Sequence, residues 1–194
     1  NQSTLTKRYT DKAIDFIEKN QHKPFFLFLS HAFPHVPLYV SEEFAGKSRA
    51  GLYGDVVEEL DWSTGKVLDT LSKLGLDENT LVIFTSDNGP WWEGSGGQLR
   101  DRKGSSWEGG MRVPFIARWS GKIPAGTVST EPAMNIDVFP TLMAIAESPL
   151  PVDKDIDGLN ILPMLQGKTA SPHDALYLFD KDRIAGVRSG HWKL

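Results

Sequence analysis

Residues 81–90, LVIFTSDNGP, decide how this chain is expected to fold. The first five residues form an uninterrupted apolar run, which is typical of a strand buried on both faces. Asp87 and Asn88 then carry side-chain oxygens at the point where the strand becomes a loop. Because ligand sites in open α/β sheets lie at the carboxyl ends of strands, we expect chemistry at this turn.

The residues before this stretch show the same order of helix and strand. Apolar positions recur at helical spacing over residues 10–19 and again over residues 53–74, where Gly75 is placed to end the helix. A second apolar run, FFLFL at residues 25–29, predicts another strand buried on both faces. Helix and buried strand, found twice, predict an α/β fold with a mostly parallel sheet flanked by helices.

The residues after this stretch predict a change of architecture. Residues 135–146 predict a helix that starts near Asp137, because Pro140 is tolerated only in the first turn. Residues 148–157 are rich in Pro and Asp and predict a connector. The last part predicts the start of a small antiparallel sheet, since its segments alternate apolar and polar residues. Strands are expected at residues 113–119, 175–179, 184–188 and 191–194.

The composition excludes several classes of function. The chain has 194 residues, of which 40% are hydrophobic and 24% are charged, as in an ordinary globular protein. A net charge of -4 provides no basic field for nucleic acid, and no apolar run is long enough for membrane insertion. The absence of Cys rules out disulfides and a cysteine nucleophile within this chain. We expect both ends to be boundaries within a longer protein, and the oligomeric state stays open.

Asp87 and Asn88 are the candidate metal ligands. A carboxylate and an amide oxygen suit a hard cation such as calcium or magnesium, although two ligands cannot complete a shell of six to eight oxygens. The alternative is an Asx-turn, in which both side chains bond the local backbone around Gly89 and Pro90.

Two histidines follow the first apolar run, at the expected end of that strand. His31 and His35 belong to the segment SHAFPHVP, and His35 lies farther out in the predicted loop. A histidine there could donate a proton to a leaving group, because imidazole exchanges protons near neutral pH. The alternative is a packed or exposed loop residue without a chemical role.

A glycine-rich loop supplies the third candidate. Residues 89–110 hold seven of the 18 glycines, which favours a shaped functional loop over a regular element. Lys103 lies next to Gly104 in this loop, where its ammonium and nearby N–H groups could approach a tetrahedral anion. The alternative is a solvated basic loop. Trp91 and Trp92 provide either a platform for a sugar ring or aromatic leaving group, or simple loop packing.

These motifs, in this order, resemble the sulfatase family of the alkaline-phosphatase-like superfamily. Five stretches carry the resemblance: KPFFLFLSHAFPHVP at 23–37, a long helix ending in NTLVIFTSDNGP at 54–90, KGSSWEGGMRVP at 103–114, NIDVFPTL at 135–142, and DGLN at 157–160.

The resemblance implies roles for the candidate residues. Asp87 and Asn88 would bind a divalent cation, usually calcium, while His35 and Lys103 would contact the sulfate ester and help to stabilise or protonate its leaving oxygen. The nucleophile would be a formylglycine, made from the first residue of a Cys/Ser-x-Pro-x-Arg motif. We expect that motif upstream, since this chain does not contain it.

The expected function is therefore that of a sulfatase fragment. Residues 1–150 would be the C-terminal part of the catalytic α/β domain, and residues 151–194 a connector and the beginning of a small C-terminal subdomain. The whole enzyme would cleave a small-molecule or carbohydrate sulfate ester in the periplasm, extracellular space or lysosome, and this chain alone would be inactive. The alternatives are a phosphomonoesterase or phosphonate ester hydrolase of the same superfamily, or an inert sulfatase-like binding fragment.

Overall fold

Two long helices build residues 1–80, the first of two units into which the chain divides. In the computed structural model, which describes all 194 residues, α1 spans Leu5–Asn20 and α2 spans Gly51–Lys73. The apolar stripes of both helices are buried, with Ile17 on α1 and Leu71 on α2 almost fully enclosed. Burial of such a side chain contributes about 1.5–3 kcal/mol relative to exposure. Both predicted helices are confirmed.

Gly75 ends α2 as the sequence predicts. Its φ angle is +67°, a conformation that glycine adopts without steric cost. The N–H of Gly75 donates to the carbonyl of Ser72 at 3.1 Å, and the N–H of Leu76 donates to that of Leu71 at 2.9 Å. This pair of bonds is the Schellman arrangement, which satisfies the last carbonyls of the helix.

The segment at residues 25–29 is not the doubly buried strand that we expected. It belongs to no ladder, and its side chains alternate in exposure, so that Phe26 is 68% and Phe28 78% exposed. Phe25, on the other face, packs edge-on against Phe16 of α1 with ring centres 5.8 Å apart. Within residues 1–194 this segment is therefore covered on the face toward α1.

The second unit, residues 81–194, contains two separate sheets. β1 (Val82–Thr85) pairs with β2 (Phe115–Arg118), and the two strands run antiparallel. The loop between β1 and β2 reverses the chain direction, so the ladder that residues 81–194 form around β1 is antiparallel. The short helix α3 (Glu108–Met111) lies within that glycine-rich loop.

The rest of the second unit follows the predicted order. A 3-10 turn, Asn135–Asp137, leads into α4 (Val138–Ile145), so Pro140 lies in the first turn as expected. A three-stranded antiparallel sheet closes the chain, which confirms the predicted change of architecture. The division between residues 1–150 and 151–194 stays a prediction. The remaining elements are 3-10 turns Gln2–Thr4 and Asp77–Asn79, α5 (Leu162–Leu165), β3 (Leu176–Asp180), β4 (Arg183–Ser189) and β5 (Trp192–Lys193). No helix has the length and apolar character needed to cross a membrane.

The buried side chain of Asp137, which we call the Asp137 joint, connects three segments of this unit. Its fully enclosed carboxylate accepts the N–H of Met134 at 2.7 Å and that of Leu159 at 2.9 Å. The Nε2 of His173 lies 2.8 Å from the same carboxylate. One side chain thus connects the start of α4, the connector and the segment that precedes β3.

Candidate active site

The turn after β1 brings Asp87 and Asn88 into direct contact. The amide nitrogen of Asn88 donates to Asp87 Oδ2, and the hydroxyl of Ser86 donates to the Asn88 carbonyl at 3.1 Å. Neither predicted ligand accepts a backbone N–H, so the Asx-turn considered above does not form. Asp87 is exposed and Asn88 half-buried. Two adjacent oxygen-bearing side chains at the surface fit a hard cation but supply only two of its six to eight ligands. No group of three or more His, Asp or Glu side chains in the chain could hold a metal.

Asn135 and Thr85 hold this turn in place. The Asn135 amide donates to the Ser86 carbonyl at 2.9 Å, and the Thr85 hydroxyl lies 3.3 Å from Asn135 Oδ1. Thr85 also donates to the carbonyl of Pro114 at 3.0 Å. The turn is therefore attached both to the start of α4 and to β2. Asn135 stands in one of the motifs quoted above, but its local sequence carries no signal of this contact across 49 residues.

Three glycines permit a close backbone approach between the turn and α3. The N–H of Gly89 donates to the Gly110 carbonyl at 2.9 Å, and the N–H of Gly109 donates to the Arg100 carbonyl at 2.8 Å. A Cβ on Gly89, Gly109 or Gly110 would collide with a backbone carbonyl oxygen. Glycine is thus required here because the chains touch, and the loop is shaped as predicted.

Lys103 belongs to the same hydrogen-bonded loop. Its N–H donates to the carbonyl of Pro90 at 3.0 Å, which places it beside the turn that carries Asp87 and Asn88. Its side chain is half-buried, and its ammonium takes part in none of the hydrogen bonds or ion pairs of the loop. This lysine is therefore a cation without a protein counterion.

Glu108 ties the loop to the C-terminal sheet. Its carboxylate lies 3.3 Å from the guanidinium of Arg188 on β4 and 3.1 Å from the ammonium of Lys193 on β5. That ammonium also donates to the carbonyl of Ser106 at 2.8 Å. The pair with Arg112, which the spacing suggests, is longer at 4.0 Å. The sheet therefore braces the segment that carries Lys103, an interaction between residues about 80 positions apart that no local pattern could indicate.

His35 lies in the first unit and is exposed. Its Nδ1 lies 2.7 Å from the carbonyl of Val36, so this nitrogen carries a proton and donates it to that carbonyl. The other ring nitrogen, Nε2, is left for a substrate. Nε2 accepts a hydrogen bond when the ring is neutral and donates one when both nitrogens are protonated, so His35 is oriented for acid–base chemistry through Nε2.

His31 has a different environment. Its Nε2 lies 3.2 Å from the hydroxyl of Ser63 on α2, which lies 2.6 Å from the hydroxyl of Thr10 on α1. Its Nδ1 is buried without a hydrogen-bond partner. Burial lowers the pKa of His31, so its ring is neutral near pH 7. His31 is the packed histidine of the pair, and His35 the accessible one.

The fold and these motifs are those of the sulfatase family. The sulfatase family model matches residues 1–148, and the chain belongs to that family. It is 44% identical to human steryl-sulfatase over 195 residues, which cover 95% of this chain and 33% of that protein. It is also 40% identical to the N-acetylgalactosamine-6-sulfatase of Canis lupus familiaris over 200 residues, covering 99% of this chain and 38% of that enzyme.

A solved structure supports the same assignment. The PsFucS1 sulfatase from Pseudoalteromonas sp. matches with a TM-score of 0.89 at 30% identity, covering 98% of this chain and 40% of that chain. The predicted family and α/β, alkaline-phosphatase-like fold are therefore confirmed. The chain spans about a third of the length of the curated relatives it matches.

Proposed function

We propose that the whole protein to which this chain belongs hydrolyses sulfuric esters, with residues 1–194 contributing one part of its active site. The observation that carries the proposal is the seam between the SDNG turn and the KGSSWEGG loop, closed by the bond from Gly89 to Gly110. This seam keeps the candidate oxygen ligands, Asp87 and Asn88, and the unpaired ammonium of Lys103 on one loop system. A sulfate ester could then be bound both by a cation on the oxygen ligands and by the ammonium.

Asp87 and Asn88 would hold a divalent cation. Carboxylate and amide oxygens suit calcium or magnesium, and the family resemblance makes calcium the expected ion. A bound cation supplies positive charge that stabilises negative charge on the ester oxygens. The remaining ligands would come from parts of the longer protein outside residues 1–194.

Lys103 and His35 would act on the ester itself. The ammonium of Lys103 has no internal counterion, so an anionic sulfate oxygen can take that place. The Nδ1–H of His35 is held by the Val36 carbonyl, so Nε2 faces the ester and, when the ring is the doubly protonated imidazolium, would give its proton to the departing alcohol oxygen and leave the neutral Nδ1–H ring. The nucleophile, a formylglycine by the family resemblance, would also lie outside this chain.

Turnover by the full-length, calcium-loaded protein tests this proposal. Lys103→Ala and His35→Ala should each lower kcat for nitrophenyl sulfate by about 10²–10⁴-fold, as expected for loss of one charge-stabilising or proton-donating group. Lys168→Ala and His22→Ala are matched controls, because both residues are exposed and lie outside the site. Wild-type rates in the first two variants would remove both residues from the mechanism.

Two further measurements separate the alternatives. Faster hydrolysis of nitrophenyl phosphate than of the sulfate would favour a phosphomonoesterase or phosphonate ester hydrolase of the same superfamily. The isolated 194-residue chain should bind calcium weakly and show no turnover; robust activity from it would contradict the proposed division of the site. Fractionation of the source cells would test the proposed location in periplasm, extracellular space or lysosome.

A further inference from the structure

Three of the six tryptophans stand open to solvent on the loop between β1 and β2. Trp91 is 49%, Trp92 70% and Trp107 44% exposed. Isolated apolar residues on a surface are common, but three indoles on one loop present a large apolar area to water. Indoles combine an apolar face with a polar N–H, which makes them frequent anchors of binding surfaces.

Arg102 holds the turn that carries Trp91 and Trp92 and contacts the ring of Trp92. One guanidinium nitrogen of Arg102 donates to the carbonyls of Trp91 at 3.0 Å and Gly94 at 2.8 Å. The same guanidinium lies 5.0 Å from the centre of the Trp92 ring, a cation–π contact. The N–H of Gly94 closes the turn by donating to Trp91 at 3.2 Å. Arg102 therefore holds the backbone of the turn at Trp91 and Gly94 and contacts the ring of Trp92.

The two indoles form an open corner beside the catalytic candidates. Their ring centres lie 6.2 Å apart and their planes meet at 73°. The corner follows Asn88 by three residues and is attached to the Lys103 segment, since Arg102 holds the turn and Lys103 bonds to Pro90. Rings fixed before binding lose little conformational entropy when a ligand arrives. The corner is thus positioned to bind the alcohol part of an ester whose sulfate is held by Lys103.

We propose that Trp91 and Trp92, which we call the tryptophan corner, bind the sugar ring of a carbohydrate sulfate ester. This inference rests on the proposed function. A pyranose presents an apolar C–H face that packs on an indole and a rim of hydroxyl groups that stays in water. The tryptophan corner offers such a surface, because both rings are open and the neighbouring Glu93 and Arg102 are charged. A steroid ring system, by contrast, is apolar on both faces and carries no comparable rim of hydroxyl groups for charged neighbours to bind.

Binding of monosulfated disaccharides to the full-length, calcium-loaded protein tests the proposal. A panel prepared from chondroitin, heparin and carrageenan presents sulfate at different ring positions, and calorimetry measures Kd without requiring turnover. At least one disaccharide should bind, and Trp92→Ala should weaken that binding about tenfold, a typical effect of losing one aromatic contact. Trp92→Phe should retain most of the affinity, because a smaller aromatic face remains.

Controls separate a binding role from a structural one. Trp192→Ala removes an equally exposed indole from β5 and should leave Kd unchanged. Thermal melts of each variant show whether the loop still folds. The proposal is overturned if no disaccharide binds below millimolar concentration, if Trp92→Ala leaves Kd unchanged, or if only a steroid sulfate such as estrone sulfate depends on Trp92. Loss of the proposed function would show differently, as an absence of nitrophenyl sulfate turnover in the wild type.

Discussion

Replacing Asp137 by alanine should open the joint between α4 and the connector. The fully buried carboxylate accepts two backbone N–H groups and contacts the ring of His173. Asp137→Ala removes the acceptor of the N–H groups of Met134 and Leu159, whose bonds to the carboxylate are partly buried. The change removes contacts from three separate segments at once, so its effect should exceed that of an ordinary surface substitution.

The expected loss of stability follows from the number of hydrogen-bond donors that Asp137→Ala leaves without an acceptor. Each buried donor left without a partner costs about 1–3 kcal/mol. Because these bonds are partly buried, the two backbone donors and the broken contact with His173 together cost about 2–4 kcal/mol, toward the lower end of that range for each group. Asp137→Asn retains an acceptor oxygen and should cost about half as much.

Amide hydrogen exchange of the full-length protein measures this opening at Leu159. A loss of about 2–4 kcal/mol in local stability corresponds to exchange about 30- to 1,000-fold faster. Asp157→Ala is the matched control, since it removes an exposed carboxylate from the same connector. If Asp137→Ala changes exchange at Leu159 by less than about threefold, or no more than the control does, the account of Asp137 as the joint is incorrect.

Three further predictions concern the turn, the loop and the first unit. Gly109→Ala would push a Cβ into the carbonyls of Arg100 and Asp101, so kcat for nitrophenyl sulfate should fall at least about tenfold. The control Gly65→Ala places its Cβ in open space on α2 and should leave kcat unchanged. Asn135→Ala removes the bonds that hold the SDNG turn, and calorimetry should show calcium affinity about 10–100-fold weaker; unchanged affinity would place the cation elsewhere. Hydrogen bonds from the N–H groups of Ser48, Gly46 and Lys47, named from the largest effect to the smallest, lower the pKa of Asp55. Burial of the carboxyl group opposes them but is the weaker influence. The contribution of Asp55 to stability is therefore complete above the ordinary pKa of 3.8 and is lost as the pH falls through the lower pKa of the folded state. Acid unfolding of Asp55→Asn, followed by circular dichroism, should depend less steeply on pH below about 4.

Local patterns in the sequence determined the helices and their ends. α1 and α2 follow from apolar residues repeated at helical spacing, and the stop at Gly75 follows from the left-handed conformation that glycine adopts freely. The position of Pro140 located the start of α4 because its missing N–H is harmless only in the first turn. These predictions succeeded because each depends on residues within a few positions of one another.

The candidate site was predictable as a set of residue types but not as an arrangement. The motifs around His35, Asp87, Asn88 and Lys103 stand in the order typical of sulfatases, and the family assignment confirmed that resemblance. The free nitrogen of His35 and the contact between Asp87 and Asn88 appear only in three dimensions. Their chemical roles stay predictions.

The sequence by itself determined the family, the helices and the residue types of the site, because these are encoded in short windows. Only the tertiary structure decided that β1 and β2 are antiparallel and which distant groups support the site. The bonds from Asn135 to Ser86, from Gly89 to Gly110 and from Lys193 to Glu108 join residues that are far apart along the chain. A periodic pattern indicates which face of a helix or strand is apolar. The element that packs against this face depends on how the intervening loops reverse the chain, which only the folded molecule shows.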